Sequence, residues 1–522
     1  MHYLPLLLRR GLLVSCFFLL GCKAAPKPDR VPNIIIILAD DMGYSDVGSF
    51  GGEIETPYLD MLASRGLRFT QFYNAARCCP TRASLLTGRY PHQAGMGGMV
   101  SSLDSEPTPG PYQGYLDERV ATLAERLKAA NYKTYLSGKW HVGEKAVHWP
   151  RQRGFDRYFG LISGASSYFE VIKDQPRVRQ MVLDDTPWEP PADGFYMTDA
   201  IADYATRFIE EHVATHTRRT PFFLYVPFTA PHWPLHAFES DIVRYEGVYD
   251  VGWDSIRVAR YDRLVASGII DGRWALPSRP ASIPAWEDVE DKEEWSRRMA
   301  VYAAMVDRMD QGIGRILSVL DETSTIRNTL IIFLSDNGGS AEGVAGRNLH
   351  DENSRIGERD SYAAYREPWA FVSNTPFRQY KAWTHEGGIA TPMIVYWMRG
   401  IQEPGRIVHQ PGHLIDLMST SLELAGIAPT DSLPGISLVP HFEGETPAGH
   451  DGLYWEHQGA QAVRQGPWKL VKGRNTDTWE LYNLAADRNE RYNVAGQYPE
   501  LVKKMDADWQ EWATITGVFE RP

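Results

Sequence analysis

Short apolar runs alternate along this chain with longer amphipathic stretches, the pattern of strands followed by helices. Four runs stand out: NIIIILADD at 33–41, YKTYLSGKWH at 132–141, PFFLYVPFTAPHW at 221–233 and TLIIFLSDNGG at 329–339. Each is short and rich in β-branched or aromatic residues, which predicts a strand buried on both faces. Between them, TDAIADYATRFIEEHVA at 198–214 places Ile201, Tyr204, Ala205, Phe208 and Ile209 at helical spacing behind a Thr or Asp cap. A second helix is predicted at 297–320, with Met299, Tyr302, Val306, Met309, Ile313, Ile316 and Leu320 on its apolar face. Strand–helix alternation of this kind predicts an α/β fold with a largely parallel, helix-covered sheet. Residues 236–295 and 340–380 interrupt the alternation, the first expected as an insertion or lid region and the second as a long polar loop. After about residue 445 the pattern changes: AVRQGPWKLV, WELYNL and an amphipathic stretch from residue 499 predict a small antiparallel sheet with one helix. The expected division is a catalytic domain at 31–445 and a small α+β subdomain at 446–522.

Composition narrows the class of partner. The chain has 522 residues and a formal net charge of -12, which argues against nucleic acid, whose phosphates need a basic surface. A small anion still fits, because Lys, Arg and His can cluster locally inside an acidic protein. At the N-terminus, Arg9 and Arg10 precede LLVSCFFLLG, an apolar run too short to span a bilayer, closed by LLGC at 19–22. Leu-Leu-Gly-Cys resembles the lipobox of bacterial lipoproteins. The expectation is therefore a signal peptide at 1–21, lipid on Cys22, a tether at 22–30, and an exported, membrane-anchored enzyme at the periplasmic or outer surface. Of four cysteines, Cys16 then leaves with the signal and Cys22 carries lipid, so only the adjacent Cys78 and Cys79 remain. Adjacent cysteines pair poorly, and an exported chain that keeps two free thiols together points to a chemical use for at least one.

The candidate chemistry lies where each apolar run stops. The first ends in Asp40-Asp41, the second reaches Lys139 and His141, the third His232, the fourth Asp336-Asn337. In open α/β sheets ligands bind outside the carboxyl ends of the strands, so these groups converge if the four strands are parallel. Asp40, Asp41, Asp336 and the Asn337 amide oxygen are hard donors suited to Ca2+ or Mg2+ rather than Zn2+. In CCPTRASLLTG, Pro80 and Gly88 bracket a short predicted helix with Cys78 just ahead of its N-terminus, where free N–H groups favour anions and lower a thiol's pKa. Taken alone, the pair reads equally well as two small core residues before that helix.

CCPTRASLLTGR at 78–89 resembles the sulfatase signature, Cys-x-Pro-Ser-Arg followed by a spacer and Thr-Gly-Arg. The resemblance extends through ILADDMGYSDVG, GKWHVG, APHWPLHA, FLSDNGG, KAWTHEGGIATPMIV and AVRQGPWKLV, and GWDSIR with NTPFRQYKAWTHEGG is most similar to the bacterial arylsulfatases. It implies the alkaline-phosphatase-like fold, with a large mixed, mostly parallel sheet. It further implies that a maturation enzyme oxidises Cys78 to formylglycine, whose hydrate attacks sulfur and forms a covalent sulfo-enzyme intermediate, which its second hydroxyl then resolves. The implied Ca2+ ligands are Asp40, Asp41, Asp336, Asn337 and the modified Cys78. Arg82 would stabilise the nucleophile, Lys139 and Lys381 neutralise sulfate, His232 act as general acid, and His141 remove the hemiacetal proton. The implied substrate is a sulfated small molecule or glycan. Thr81 stands where the signature has Ser, and Cys79 fills its variable position without an expected role. His92, His236, His385 and His413 are expected to be structural. A phosphonate monoester or phosphodiester hydrolase on the same fold, and a non-catalytic glycan-binding lipoprotein, are the competing readings; the complete set of catalytic groups argues against the second.

Overall fold

The structure, a computed structural model, describes residues 31–173, 179–344, 349–351, 353–428, 433–474 and 476–520. The expected signal, Cys22 and the tether lie outside the described residues. The chain forms strands β1 (Asn33–Ala39), β2 (Leu67–Tyr73), β3 (Lys133–Ser137), β4 (Arg157–Leu161), β5 (Met181–Leu183), β6 (Thr186–Trp188), β7 (Phe222–Pro227), β8 (Thr329–Ser335), β9 (Ala390–Tyr396), β10 (Ile407–Val408) and β11 (Gly412–His413). These build one sheet in the order β10-β2-β9-β8-β1-β7-β3-β4-β5-β6, with β11 also on β2. The four strands predicted from the apolar runs are its centre, β8-β1-β7-β3, and all run parallel. Antiparallel neighbours enter only to either side, where β9 joins β8 to β2 and where β5 and β6 follow β4.

The unbroken apolar run of β1 follows from its place. Ile34 to Leu38 are fully buried, and alternate residues feed two cores. Ile35 and Ile37 face one layer, with the long helices Met197–Thr215 and Lys292–Glu322; Ile34, Ile36 and Leu38 face the other, with the helices Cys78–Thr87 and Leu123–Ala129. β12 (Leu453–His457), β13 (Ala460–Gln465), β14 (Trp468–Lys472) and β15 (Glu480–Asn483) form a separate antiparallel sheet. Helix Pro499–Thr516 packs on it through Met505, Trp509 and Trp512.

Three local expectations change. Helix Met197–Thr215 begins ahead of the expected cap and has no side-chain cap; Asp199 instead pairs with Arg308 at 2.6 Å and Arg315 at 3.1 Å on the neighbouring long helix. Residues 236–295 include a packed insertion. Their helix Gly252–Ala266 buries Trp253, Arg257 and Arg260, and Arg260 pairs with Asp46 at 2.6 Å, so GWDSIR is a brace. Residues 340–380 contain, after a polar loop, the buried helix Arg366–Ser373. Among the described residues no helix is long and apolar enough to cross a membrane.

Candidate active site

Parallel pairing puts the carboxyl ends of β8, β1, β7 and β3 side by side, and backbone bonds carry the register past the strands. Asp336 N–H donates to the Ala39 carbonyl at 3.1 Å, Asp40 N–H to Ala230 at 3.0 Å, and Lys139 N–H to Pro227 at 2.8 Å. Asp40, Asp41, Lys139, Asp336 and Asn337 are thereby fixed at one edge, all at most 2 % exposed. Helix Cys78–Thr87 lies against this edge with every residue buried. Cys78 is its first residue rather than the one before it, Arg77 is its N-cap, and Gly88 ends it at φ 65°.

The helix is locked to the sheet by hydroxyl and guanidinium. Thr81 Oγ1 donates to the Asp336 carbonyl at 2.6 Å and accepts from Ala75 N–H at 3.0 Å, so the β-hydroxyl that Thr shares with Ser is used here. Arg82 reaches Asp336 Oδ2 at 2.9 Å and the Lys139 carbonyl at 3.1 Å. Lys139 Nζ contacts Asp40 Oδ2 at 2.6 Å, and Lys381 Nζ contacts Asp41 Oδ2 at 2.8 Å. His232 Nε2 lies 3.4 Å from both Lys381 Nζ and Asp41 Oδ2, while its Nδ1 donates to the Trp233 carbonyl at 2.6 Å. All the site residues expected from the sequence meet in this one cluster. His141 joins through Cys78: its ring and both cysteine sulfurs lie within 4.8 Å of one another. Asp41 and His141 hold positive φ, 65° and 56°, backbone that costs non-glycine residues free energy and that tertiary contacts enforce.

Crowded acids and bases in a dry site shift one another. Burial, and then the Asp336 and Asp41 carboxylates, push the Asp40 carboxyl well above its ordinary range, against Lys139 and Arg82. A hydrogen bond from Cys79, with Lys139 and His141, holds the Cys78 thiol well below its ordinary range despite burial. Burial, Lys381 and Lys139 hold His232 in the neutral form, and burial lowers His141 to about 4. Asp40 Oδ1 and Asn337 Oδ1 are buried and accept no hydrogen bond, although oxygens of this kind normally find a donor. Three carboxylates and an amide oxygen, two of these oxygens without a hydrogen bond, fit a hard divalent cation such as Ca2+.

Other groups were not evident from the sequence. Glu342 Oε1 pairs with Arg77 at 2.8 Å, and its Oε2 lies 3.3 Å from Lys381 Nζ. The visible signals were Arg77 preceding Cys78 and a carboxylate five residues after Asn337. The four histidines expected to be structural have partners away from the cluster. His92 pairs with Glu456 at 2.9 Å, His236 Nε2 meets the Ser361 carbonyl at 2.6 Å, His385 lies 3.4 Å from Glu480, and His413 packs on Trp455.

An α/β sheet whose parallel strand ends gather these groups beside a Cys-x-Pro-x-Arg helix defines a sulfatase site, and the chain belongs to the sulfatase family, whose model matches residues 32–427. A second model, the N-sulphoglucosamine sulphohydrolase C-terminal region, matches residues 378–513. The chain is 36 % identical to an arylsulfatase of Klebsiella aerogenes, over 81 % of this chain and 92 % of that one. It is 29 % identical to an N-acetylgalactosamine-6-sulfatase of Canis lupus familiaris, over 93 % of this chain and 80 % of that one. The crystal structure of Ps i-CgsB superposes with a TM-score of 0.70 at 27 % identity, covering 93 % of both chains, and that protein is also known in complex with k-i-k-neocarrahexaose. The chain is a sulfatase, an enzyme of sulfate-ester hydrolysis.

Proposed function

We propose that this sulfatase is exported as a lipoprotein through Cys22, is matured at Cys78 to formylglycine by a dedicated enzyme, uses one Ca2+, and removes sulfate from monoesters of glycans. The observation that carries the reading is the buried meeting of Cys78, at a helix N-terminus, with Arg82, Lys139, Lys381 and the oxygens of Asp40 and Asn337 that accept no hydrogen bond. Hydrated formylglycine would supply an oxygen nucleophile in place of the thiol, and Ca2+ held by Asp40, Asp41, Asp336 and Asn337 would supply positive charge beside it. The glycan assignment draws on the names of the relatives, which include a sulfatase of an N-acetylated sugar.

The chain's own groups divide the remaining work. Lys139 and Lys381 present two ammonium groups to the sulfate oxygens, where charge builds as the S–O bond breaks. Arg82, held by Asp336, fixes the start of the helix and so the position of residue 78. His232 donates Nδ1–H to the Trp233 carbonyl, which leaves Nε2 as the nitrogen that takes up the proton destined for the leaving oxygen. Its neutral resting state reflects burial and the two lysines; a bound sulfate offsets their charge and favours uptake of that proton. His141, against residue 78, accepts the proton of its second hydroxyl.

Protein produced with a maturation enzyme tests this directly. Mass spectrometry of the peptide bearing residue 78 should show aldehyde in place of thiol, and Cys78→Ala should abolish aryl sulfate turnover while Cys79→Ala retains it. Chelation should lower both activity and Tm, with Ca2+ restoring both. Active enzyme that carries only unmodified cysteine at 78, or turnover of aryl phosphodiesters above aryl sulfates, would sink the proposal.

A further inference from the structure

Glu342 is the acidic group the sulfur chemistry does not call for. Its carboxylate joins four segments at the mouth of the site: Arg77, which precedes the nucleophile helix, at 2.8 Å; Lys381 at 3.3 Å; the Trp233 indole N–H, beside His232, at 3.3 Å; and Ser340 Oγ at 3.5 Å. Asp40, Asp41 and Asp336 are sealed, with side chains 0–2 % exposed where they take part in ion pairs, whereas the Glu342 side chain is 31 % exposed and Arg77 18 %. Glu342 therefore stands between the buried cluster and solvent. A fixed negative charge there opposes the approach of a sulfate ester and competes for Lys381. What a carboxylate at that place recognises well is a hydroxyl, which it accepts as a charge-assisted hydrogen bond.

Its neighbours suit the same kind of ligand. Trp233 offers a half-buried aromatic surface, packed edge-on against Tyr362 with ring centroids 6.1 Å apart and adjacent to the His232 ring at 4.5 Å. Arg77 presents a guanidinium fork from the other side, with its Nε unpartnered and buried.

We infer that Glu342, with Arg77 and Trp233, forms the subsite for the leaving group, and that it selects a sugar: the carboxylate accepts hydroxyl hydrogen bonds from the ring that carries the sulfate, Trp233 packs against that ring's face, and Arg77 orients Glu342. This rests on the glycan reading above and names the residues that enforce it. An aryl leaving group has no hydroxyls to repay the repulsion; a sugar does.

The test compares kcat/KM for galactose 6-sulfate, N-acetylgalactosamine 6-sulfate and sulfated disaccharides with that for 4-nitrophenyl sulfate, in matured wild type, Glu342→Gln and Glu342→Asp. Glu342→Gln should lower the sugar-to-aryl ratio at least tenfold, through a raised KM for the sugar sulfates and a lowered KM for the aryl sulfate. Glu342→Asp should recover part of the ratio. If both substrates lose activity in parallel, Glu342 serves only to hold Lys381 and the subsite is refuted; an unchanged ratio refutes it equally. Wild type that turns over the aryl sulfate and none of the sugar sulfates would remove the glycan reading itself, and this assignment with it, an outcome visible before any variant is made.

Discussion

His141, the proposed base, shows how a single small residue sets a ring's position. Its N–H donates to the Ile162 carbonyl at 3.0 Å, its φ is 56°, and Gly164 lies against the Nε2–Cε1 edge of its ring. A Cβ built on Gly164 would lie 2.4 Å from His141 Nε2 and 2.5 Å from Cε1, too close for the ring to stay. Gly164→Ala is expected to turn the imidazole away from residue 78 and lower kcat by about 10- to 100-fold, within the usual worth of one acid–base group. The overpacking itself costs about 1–3 kcal/mol. The double variant separates position from packing: on a His141→Ala background, Gly164→Ala should lower kcat no further. Independent, additive losses would show that Gly164 acts elsewhere.

Elements explain both what the sequence disclosed and what it withheld. Asp40, Lys139, His232 and Asp336 were legible because each follows an apolar run directly, and parallel strands in one sheet end at one edge whatever their order. Trp233 and Glu342 were not legible as a pair, since 109 residues separate them and only the folded loop brings them to 3.3 Å. The packing of the insertion at 236–295 was hidden for a similar reason. Polar composition suggested solvent, but Arg257 and Arg260 are buried against Phe371 and Asp46, contacts no local pattern announces. A second hidden requirement lies where β3 and β4 end. Gly160, at φ 150°, would place a Cβ 1.8 Å from the Gly138 carbonyl, and Gly138, at φ 139°, one 2.0 Å from the Pro227 carbonyl. The three backbones pass so closely that Lys139 N–H reaches Pro227 at 2.8 Å. Gly160→Ala must part β4 from β3 and strain its own backbone. A loss of at least about 3 kcal/mol in denaturant unfolding is expected, with the Lys139 ammonium displaced and activity reduced. A midpoint equal to wild type would show that the strand ends have slack the geometry denies.

At the scale of the whole molecule, the small C-terminal sheet is fastened to the segment that carries Lys381. Glu386, five residues on, is fully buried between Lys469 of β14 at 2.9 Å and Arg488 at 3.0 Å, accepts from Tyr73 of β2 at 3.0 Å, and its N–H donates to Glu490 at 2.9 Å. Lys469 also pairs with Glu490 at 2.8 Å. The C-terminal family match over 378–513 spans Glu386, Lys469, Arg488 and Glu490. Burial alone would raise the Glu386 carboxyl, but Lys469, Arg488 and Arg464 outweigh it and hold it at about 2, against an ordinary value near 4.5. The folded value lies below the unfolded one, so the ionised clasp stabilises fully above about pH 4.5. That contribution, on the order of 3 kcal/mol, is lost as pH falls toward 2. Glu386→Gln removes the charge and keeps the shape, leaving two buried cations with fewer counterions, and should cost about 3–5 kcal/mol at neutral pH. Unfolding free energies measured from pH 7 to pH 2.5 should show the gap between wild type and Glu386→Gln widest above pH 4.5 and narrowing steadily below it. Curves that stay parallel across that window would mean that Glu386 ionisation does not hold the two sheets together, and that their attachment rests instead on apolar contacts such as Trp455 against Tyr73.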